Sequence, residues 1–171
     1  MKQVVTCQEM KSCDSYTIER MGVPSCVLME RAALKVVEEL EKRFTTENIK
    51  QKILCVCGSG NNGGDGVAIA RILHQHGYQI AVNYQVPVVN NLHSEEYTTI
   101  VDAIFGVGLT REVKGEYREL IAELNEMSGW KVSVDLPSGV DGDTGIELGI
   151  AFRAGLTVTF AFCKAGLCLY P

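Results

Sequence analysis

The sequence predicts an open α/β fold with a mostly parallel central sheet covered on both faces. Three observations point to it. Apolar or β-branched runs recur at 53–57, 78–82, 98–105, 130–136 and 157–162; helical apolar spacing fills most of the intervals; and three runs lead directly into polar loops rich in glycine. Alternating strands and helices favour parallel pairing, because each parallel crossover needs a dozen or more residues.

Composition fits that architecture. A chain of 171 residues that is 46% hydrophobic suits one domain, residues 1–171, with a core that needs no disulfide or metal to hold it. A net charge of −5 opposes a nucleic-acid surface, where Lys and Arg on phosphates dominate. Cys7, Cys13, Cys26, Cys55, Cys57, Cys163 and Cys168 contain no C-x-x-C pair and read as reduced core residues. His74, His76 and His93 lack zinc spacing relative to them. With no apolar signal region and no run approaching a membrane span, the expectation is a soluble cytoplasmic protein without a membrane partner.

The elements follow in order. Thr6 and Glu9 have capping-box spacing, and Met10, Cys13, Thr17, Ile18 and Met21 recur at helical intervals, predicting a helix over 7–21 stopped by Gly22 and Pro24. Ser25 can cap a second helix, whose apolar stripe runs from Leu28 to Leu40 and faces a sheet. Its end and a connection are placed within Glu41 to Lys52, where charged and polar residues dominate apart from Phe44 and Ile49. After strand 53–57 and the loop GSGNNGGDG (58–66), a helix is predicted from Asp65 to His76 with Gly77 behind it. Strands at 78–82 and 98–105 are joined by NYQVPVVNNLHSEEY, which has no helical pattern. Either VPVV is a further strand or the chain lacks a segment near residue 83. GVGLTREVKG (106–115) is a second loop, before a helix carrying Leu120, Ile121, Leu124 and Met127 that stops at Gly129. Strand 130–136 enters the third loop, PSGVDGDTG (137–145), and 157–162 is the fifth strand.

In open parallel sheets ligands bind beyond the carboxyl ends of the strands, so the three loops should converge on one crevice. The first has backbone N–H groups at a helix N-terminus, where anions are favoured. Gly58, Gly60 and Gly63 satisfy G-x-G-x-x-G, but no acidic residue ends the second strand, which disfavours an ordinary NAD-dependent dehydrogenase. No Lys-Ser or Lys-Thr follows, which excludes a Walker loop. Asn61, Asn62 and Asp65 offer amides and a carboxylate for a cation or ligand hydroxyls; alternatively the asparagines fill left-handed turn positions and Asp65 caps the helix.

Asp102 interrupts an apolar run, and a carboxylate there needs a partner. A cation shared with Asn62 and Ser138 would supply one; backbone N–H groups would also. Asp135 ends a strand before Pro137 and is the better-placed acid/base candidate. Asp141 and Asp143 read as turn residues. Arg111 and Lys164 could meet phosphates, although lone basic residues are mostly solvated. The first two helices offer core or a self-association face.

LMERA (28–32), GSGNNGGDG (58–66), VDAIFGVGL (101–109) and VDLPSGVDGDTG (134–145), in register, resemble the YjeF N-terminal domain family, whose enzymatic members are NAD(P)H-hydrate epimerases. The resemblance covers about residue 5 to the end and implies a Rossmann-like three-layer α/β/α sandwich. It implies that NADHX or NADPHX contacts Asn61, Asn62, Gly63, Gly64 and Asp65, Gly106, Val107, Gly108, Leu109, Thr110, Arg111 and Glu112, and Asp135. It also implies one potassium ion per subunit on Asn62, Asp102 and Ser138, a possible homodimer, and a NAD(P)HX dehydratase as functional partner, perhaps fused. The hydrated carbon would lose and regain water through an iminium-like cation, with Asp135 protonating the departing hydroxyl. The competing expectation is a non-catalytic nucleotide-binding or protein-interaction module on the same fold. A hydrolase using Ser138 is set aside because no motif positions a histidine as its base.

Overall fold

The computed structural model describes residues 3–47, 49–84 and 96–169. Among them the order is β1 (Val4–Val5), α1 (Cys7–Glu19), α2 (Ser25–Glu47), β2 (Lys52–Cys57), α3 (Asn61–Gln75), β3 (Gln79–Tyr84), β4 (Thr99–Ala103), α4 (Glu116–Glu126), β5 (Trp130–Val134), β6 (Leu156–Val158), β7 (Cys163–Lys164) and α5 (Ala165–Leu169).

Strands β3-β2-β4-β5-β6 form a sheet in which every pair is parallel. The twofold alternation of side chains splits β2 between two cores. Ile53, Cys55 and Cys57 join Val36, Val37 and Leu40 of α2 and Ile69 and Leu73 of α3 on one face. Leu54 and Val56 join Leu120, Ile121 and Leu124 of α4, with Phe152, on the other. All five expected strands are present, and the sheet is covered on both faces.

α2 ends at Glu47, inside the stretch expected to hold its end; Phe44 prolongs the stripe one turn past Leu40, packing its ring 5.3 Å from Tyr78 and 6.4 Å from Trp130, centroid to centroid. The charged residues around it lie on the outer face and pair along the helix, as in Arg43–Glu47. Of the cysteines, Cys55 and Cys57 are core residues, whereas Cys13, Cys26 and Cys168 are exposed. The VPVV stretch lies outside the described residues.

A second sheet was not foreseen. β1 pairs in parallel with β7, Val4 with Cys163 and Val5 with Lys164. Immediately afterwards Thr6 caps α1, and its reciprocal bonds with Glu9 complete the expected capping box. The start of α1 is thereby anchored beside Lys164. Asp143 reinforces this anchor by accepting the Cys7 N–H at 2.5 Å. Gly142, in the same turn, leaves the Cys7 sulfur no room for an added Cβ.

Phe44→Ala removes the ring that α2 wedges between Tyr78 and Trp130, and it is expected to cost about 3–5 kcal/mol, read as a lower urea midpoint at unchanged slope.

Candidate active site

The first glycine loop is tighter than a phosphate cradle requires. Gly58 donates its N–H to Ala103 O at 3.0 Å, extending the β2–β4 ladder by one bond. An added Cβ on Gly58 would collide with the Ile104 carbonyl, and one on Gly63 with the Gly58 carbonyl. This close approach lets α3 begin at Asn61, with Gly60 as its cap, four residues earlier than the sequence suggested. Asn61 and Asn62 are therefore helical, not left-handed, and Asp65 lies beyond the cap. Consecutive glycines hide a helix from propensity reasoning because they are its poorest formers after proline.

The other two loops are tied to this one and to each other. Gly106 packs against the Asn62 side chain, whose Oδ1 lies 3.3 Å from where a Cβ would stand. Phe105 N donates to Ser138 Oγ at 2.9 Å, and Val113 N to Leu148 O at 2.8 Å. Asp102 is the junction. Its side chain has no exposed surface, and its Oδ1 accepts from Ser138 Oγ at 2.5 Å and Ile104 N at 3.2 Å. Oδ2 accepts from Ser138 N at 2.8 Å and Ser133 Oγ at 3.1 Å. Burial pushes its carboxyl up to about 6 against the opposing pull of these bonds.

Backbone and hydroxyl groups thus satisfy Asp102 directly, which was one of the two arrangements considered for it. The donor set also suits a hard cation. Asn62, Asp102 and Ser138 offer oxygen atoms, and no cationic side chain pairs with Asp102 among the described residues. The Asn62 amide nitrogen is buried without a partner.

Asp135 adopts φ +68°, a left-handed conformation uncommon for a residue with a Cβ. It is 7% exposed, and its Oδ1 receives an ammonium hydrogen from Lys164. Lys164 is 1% exposed; it also donates to Thr159 Oγ1 and Phe160 O, both at 3.0 Å. Lys164 is therefore a buried ion-pair partner rather than a solvated residue. Its signal in the sequence was the stretch FAFCKAGLCL, in which it is the lone charge.

These groups surround a cavity of about 2020 Å³. That exceeds the roughly 300–1,000 Å³ of pockets for drug-sized ligands and leaves room for a dinucleotide. Asn61, Asn62, Asp65, Gly106 through Glu112, Asp135 and Lys164 line it. Gly63 and Gly64 instead pack α3 against Gly58 and Met29, and Asp102 and Ser138 lie beneath the floor. Arg111 is at the rim, in an exposed stretch.

Asp65 is half-buried, and its carboxyl is pushed up to about 7 by desolvation, then by the charges of Asp135 and Asp14. Asp14, on α1, is raised by desolvation and by Asp135, while Lys164 pulls it the other way. Sequence reasoning missed Asp14 because α1 shows no catalytic pattern; the β1–β7 pairing and the Cys7–Asp143 bond bring it here.

A family model described as YjeF-related protein N-terminus matches residues 25–95 and 83–166. The chain is 44% identical over 187 residues to the NAD(P)H-hydrate epimerase of Limosilactobacillus reuteri (strain ATCC 55730 / SD2112), covering 96% of this chain and 87% of that one. It is 39% identical to the NAD(P)H-hydrate epimerase of Limosilactobacillus fermentum, covering 97% and 89%. The crystal structure of yeast YNL200c superposes with a TM-score of 0.86 at 23% identity, covering 99% of this chain and 84% of that one, which establishes a shared fold.

Lys164→Met strands the Asp135 charge in a nearly dry site and should destabilise the fold by about 3–5 kcal/mol. Adding Asp135→Asn to Lys164→Met should recover most of that loss in chemical denaturation, since the stranded charge is gone.

Proposed function

This chain belongs to the YjeF-related protein N-terminus family, and on that premise we propose that it is an NAD(P)H-hydrate epimerase, an isomerase interconverting the R and S epimers of NADHX and NADPHX. The observation that carries this reading is the acidic end of a dinucleotide-sized cavity, where Asp65 and the Asp135–Lys164 pair face the same space.

The chemistry follows from the substrate. The hydrated carbon bears a hydroxyl next to the ring nitrogen, whose lone pair can expel water and leave an iminium-like cation. Water then adds to the opposite face. The protein must supply a proton to the departing oxygen, negative charge near the cation, and a base for the entering water. Ion-paired with a buried ammonium, Asp135 suits the last two tasks better than the proton donation first assigned to it. Asn61, Asn62 and Asp65, with Gly106 through Glu112, hold the substrate. Phe105, its ring tilted against Tyr117 with centroids 5.0 Å apart, forms part of an apolar wall that limits water.

One potassium ion would rest on Asn62, Asp102 and Ser138, where its contribution is to balance the Asp102 charge and fix the meeting point of the loops. Outside the site, the reading extends to a cytoplasmic homodimer that works with a NAD(P)HX dehydratase, attached or separate. No helix among the described residues is long and apolar enough to cross a membrane.

Purified protein added to a single NADHX epimer is expected to produce the other far above the spontaneous rate, followed by chromatography. Asp135→Asn should lower kcat by about 10²–10⁴-fold. A wild-type rate no faster than the blank would leave a nucleotide-binding module instead. For the ion, thermal melting in potassium against choline chloride should show stabilisation of about 2.7 kcal/mol at roughly 100 times the dissociation constant, absent in Asp102→Asn.

A further inference from the structure

We propose that Asp65 is the general acid of this epimerisation, working across the cavity from the Asp135–Lys164 pair. The assignment rests on the epimerase reading above and goes further by separating the two carboxyl groups into donor and acceptor.

Geometry selects Asp65. It lines the cavity from α3, whereas Asp135 lines it from the end of β5. Among the described residues, its carboxyl accepts no hydrogen bond and enters no ion pair, so its proton is uncommitted. One turn earlier on the same helix, Asn62 lines the same cavity. Lys164 is the other potential acid, but its three bonds to Asp135, Thr159 and Phe160 use all its hydrogens, and it is buried behind Asp135.

The electrostatic setting agrees. The charged groups facing Asp65 are Asp14 from α1 and Asp135 from the end of β5, with Lys164 of β7 bound to the latter. Desolvation and the two carboxylates bring Asp65 to about 7, so near neutral pH a substantial fraction holds its proton. A carboxyl that holds its proton, facing a carboxylate that is ion-paired with an ammonium, is the arrangement of an acid and a base.

The step balances. Asp65 gives its proton to the hydroxyl; the C–O bond breaks with its electron pair leaving on water, and the ring nitrogen lone pair forms the C=N bond of the cation. A water adds on the other face, its oxygen forming the new C–O bond as the C=N π pair returns to nitrogen, and its proton passes to Asp135. Return of that proton through solvent to Asp65 completes the cycle with no net proton change. In the reverse direction the roles exchange: Asp135 returns its proton to the hydroxyl on its own face and Asp65 accepts one from the water that enters.

The test is kcat and KM from about pH 5 to 9 on a single NADHX epimer for the wild type, Asp65→Asn and Asp65→Glu. Because the acid form is active and exists below about 7, wild-type kcat should fall by about tenfold per pH unit above that value. Asp65→Asn should lose about 10²–10⁴-fold in kcat with little change in KM and without that alkaline limb. Asp65→Glu should restore much of the rate with the limb displaced. Retention of kcat and of the limb in Asp65→Asn, with only KM raised, would mean that Asp65 merely binds substrate and would overturn the assignment. If Asp65→Asn fails to fold by circular dichroism, Asp65→Glu decides: an alkaline limb identical to the wild type overturns it. A wild type that does not interconvert the epimers sinks the epimerase reading itself, and the role of Asp65 with it.

Discussion

The Asp102 carboxylate is the constraint on which the site depends. It has no exposed surface, so its charge must be met by dipoles brought from several parts of the chain. Ile104 contributes from its own loop, Ser133 from β5, and Ser138 from the third loop with both backbone and hydroxyl. Satisfying one residue therefore fixes the relative positions of two strand ends and two loops. Through Phe105 N on Ser138 Oγ the second loop is held as well, and Gly106 in turn bears on Asn62 at the start of α3. A half-satisfied network would cost more than an apolar core, which explains why the three loops are so extensively cross-bonded.

A second buried charge lies at the same sheet edge and is satisfied differently. Asp135 is met by an ammonium group, Lys164, which hydrogen-bonds a neighbouring hydroxyl and a carbonyl. Dipoles leave Asp102 as a fixed structural anion below the floor, whereas the ion pair leaves Asp135 open to the cavity. The pair also explains the N-terminal segment. Lys164 belongs to β7, β7 is paired by β1, and β1 delivers α1 with Asp14 over the opening. The acidic end of the cavity is thus assembled from the first and last parts of the described chain.

This assembly sets how much the sequence revealed. The five parallel strands were legible because each is a run of apolar residues, and the three loops because their glycines and prolines punctuate those runs. Asp102 was legible as an interruption of such a run, and Asp135 as a carboxylate at a strand end. Lys164 and Asp14 were not, because their positions depend on a two-residue pairing too short to carry any periodicity. The start of α3 was missed, because at Asn61 tertiary packing of glycines overrode their low helix propensity.

The glycine loop first suggested an anion site, because the start of a helix carries positive partial charge. The finished geometry reverses the sign of the corner. Asp65 sits past the first turn, where the helix dipole has faded, and meets two further carboxylates and burial instead. One ammonium, already committed to Asp135, does not neutralise that set. A corner so charged repels an ionised Asp65 and attracts a cation, and both preferences favour one event: transfer of the Asp65 proton to a departing hydroxyl as positive charge develops on the ring. Each proton lost from Asp65 to substrate leaves a carboxylate beside the cation it has just created. The iminium-like cation offsets the repulsion that the newly ionised Asp65 meets from Asp135 and Asp14, which is the differential stabilisation that catalysis requires.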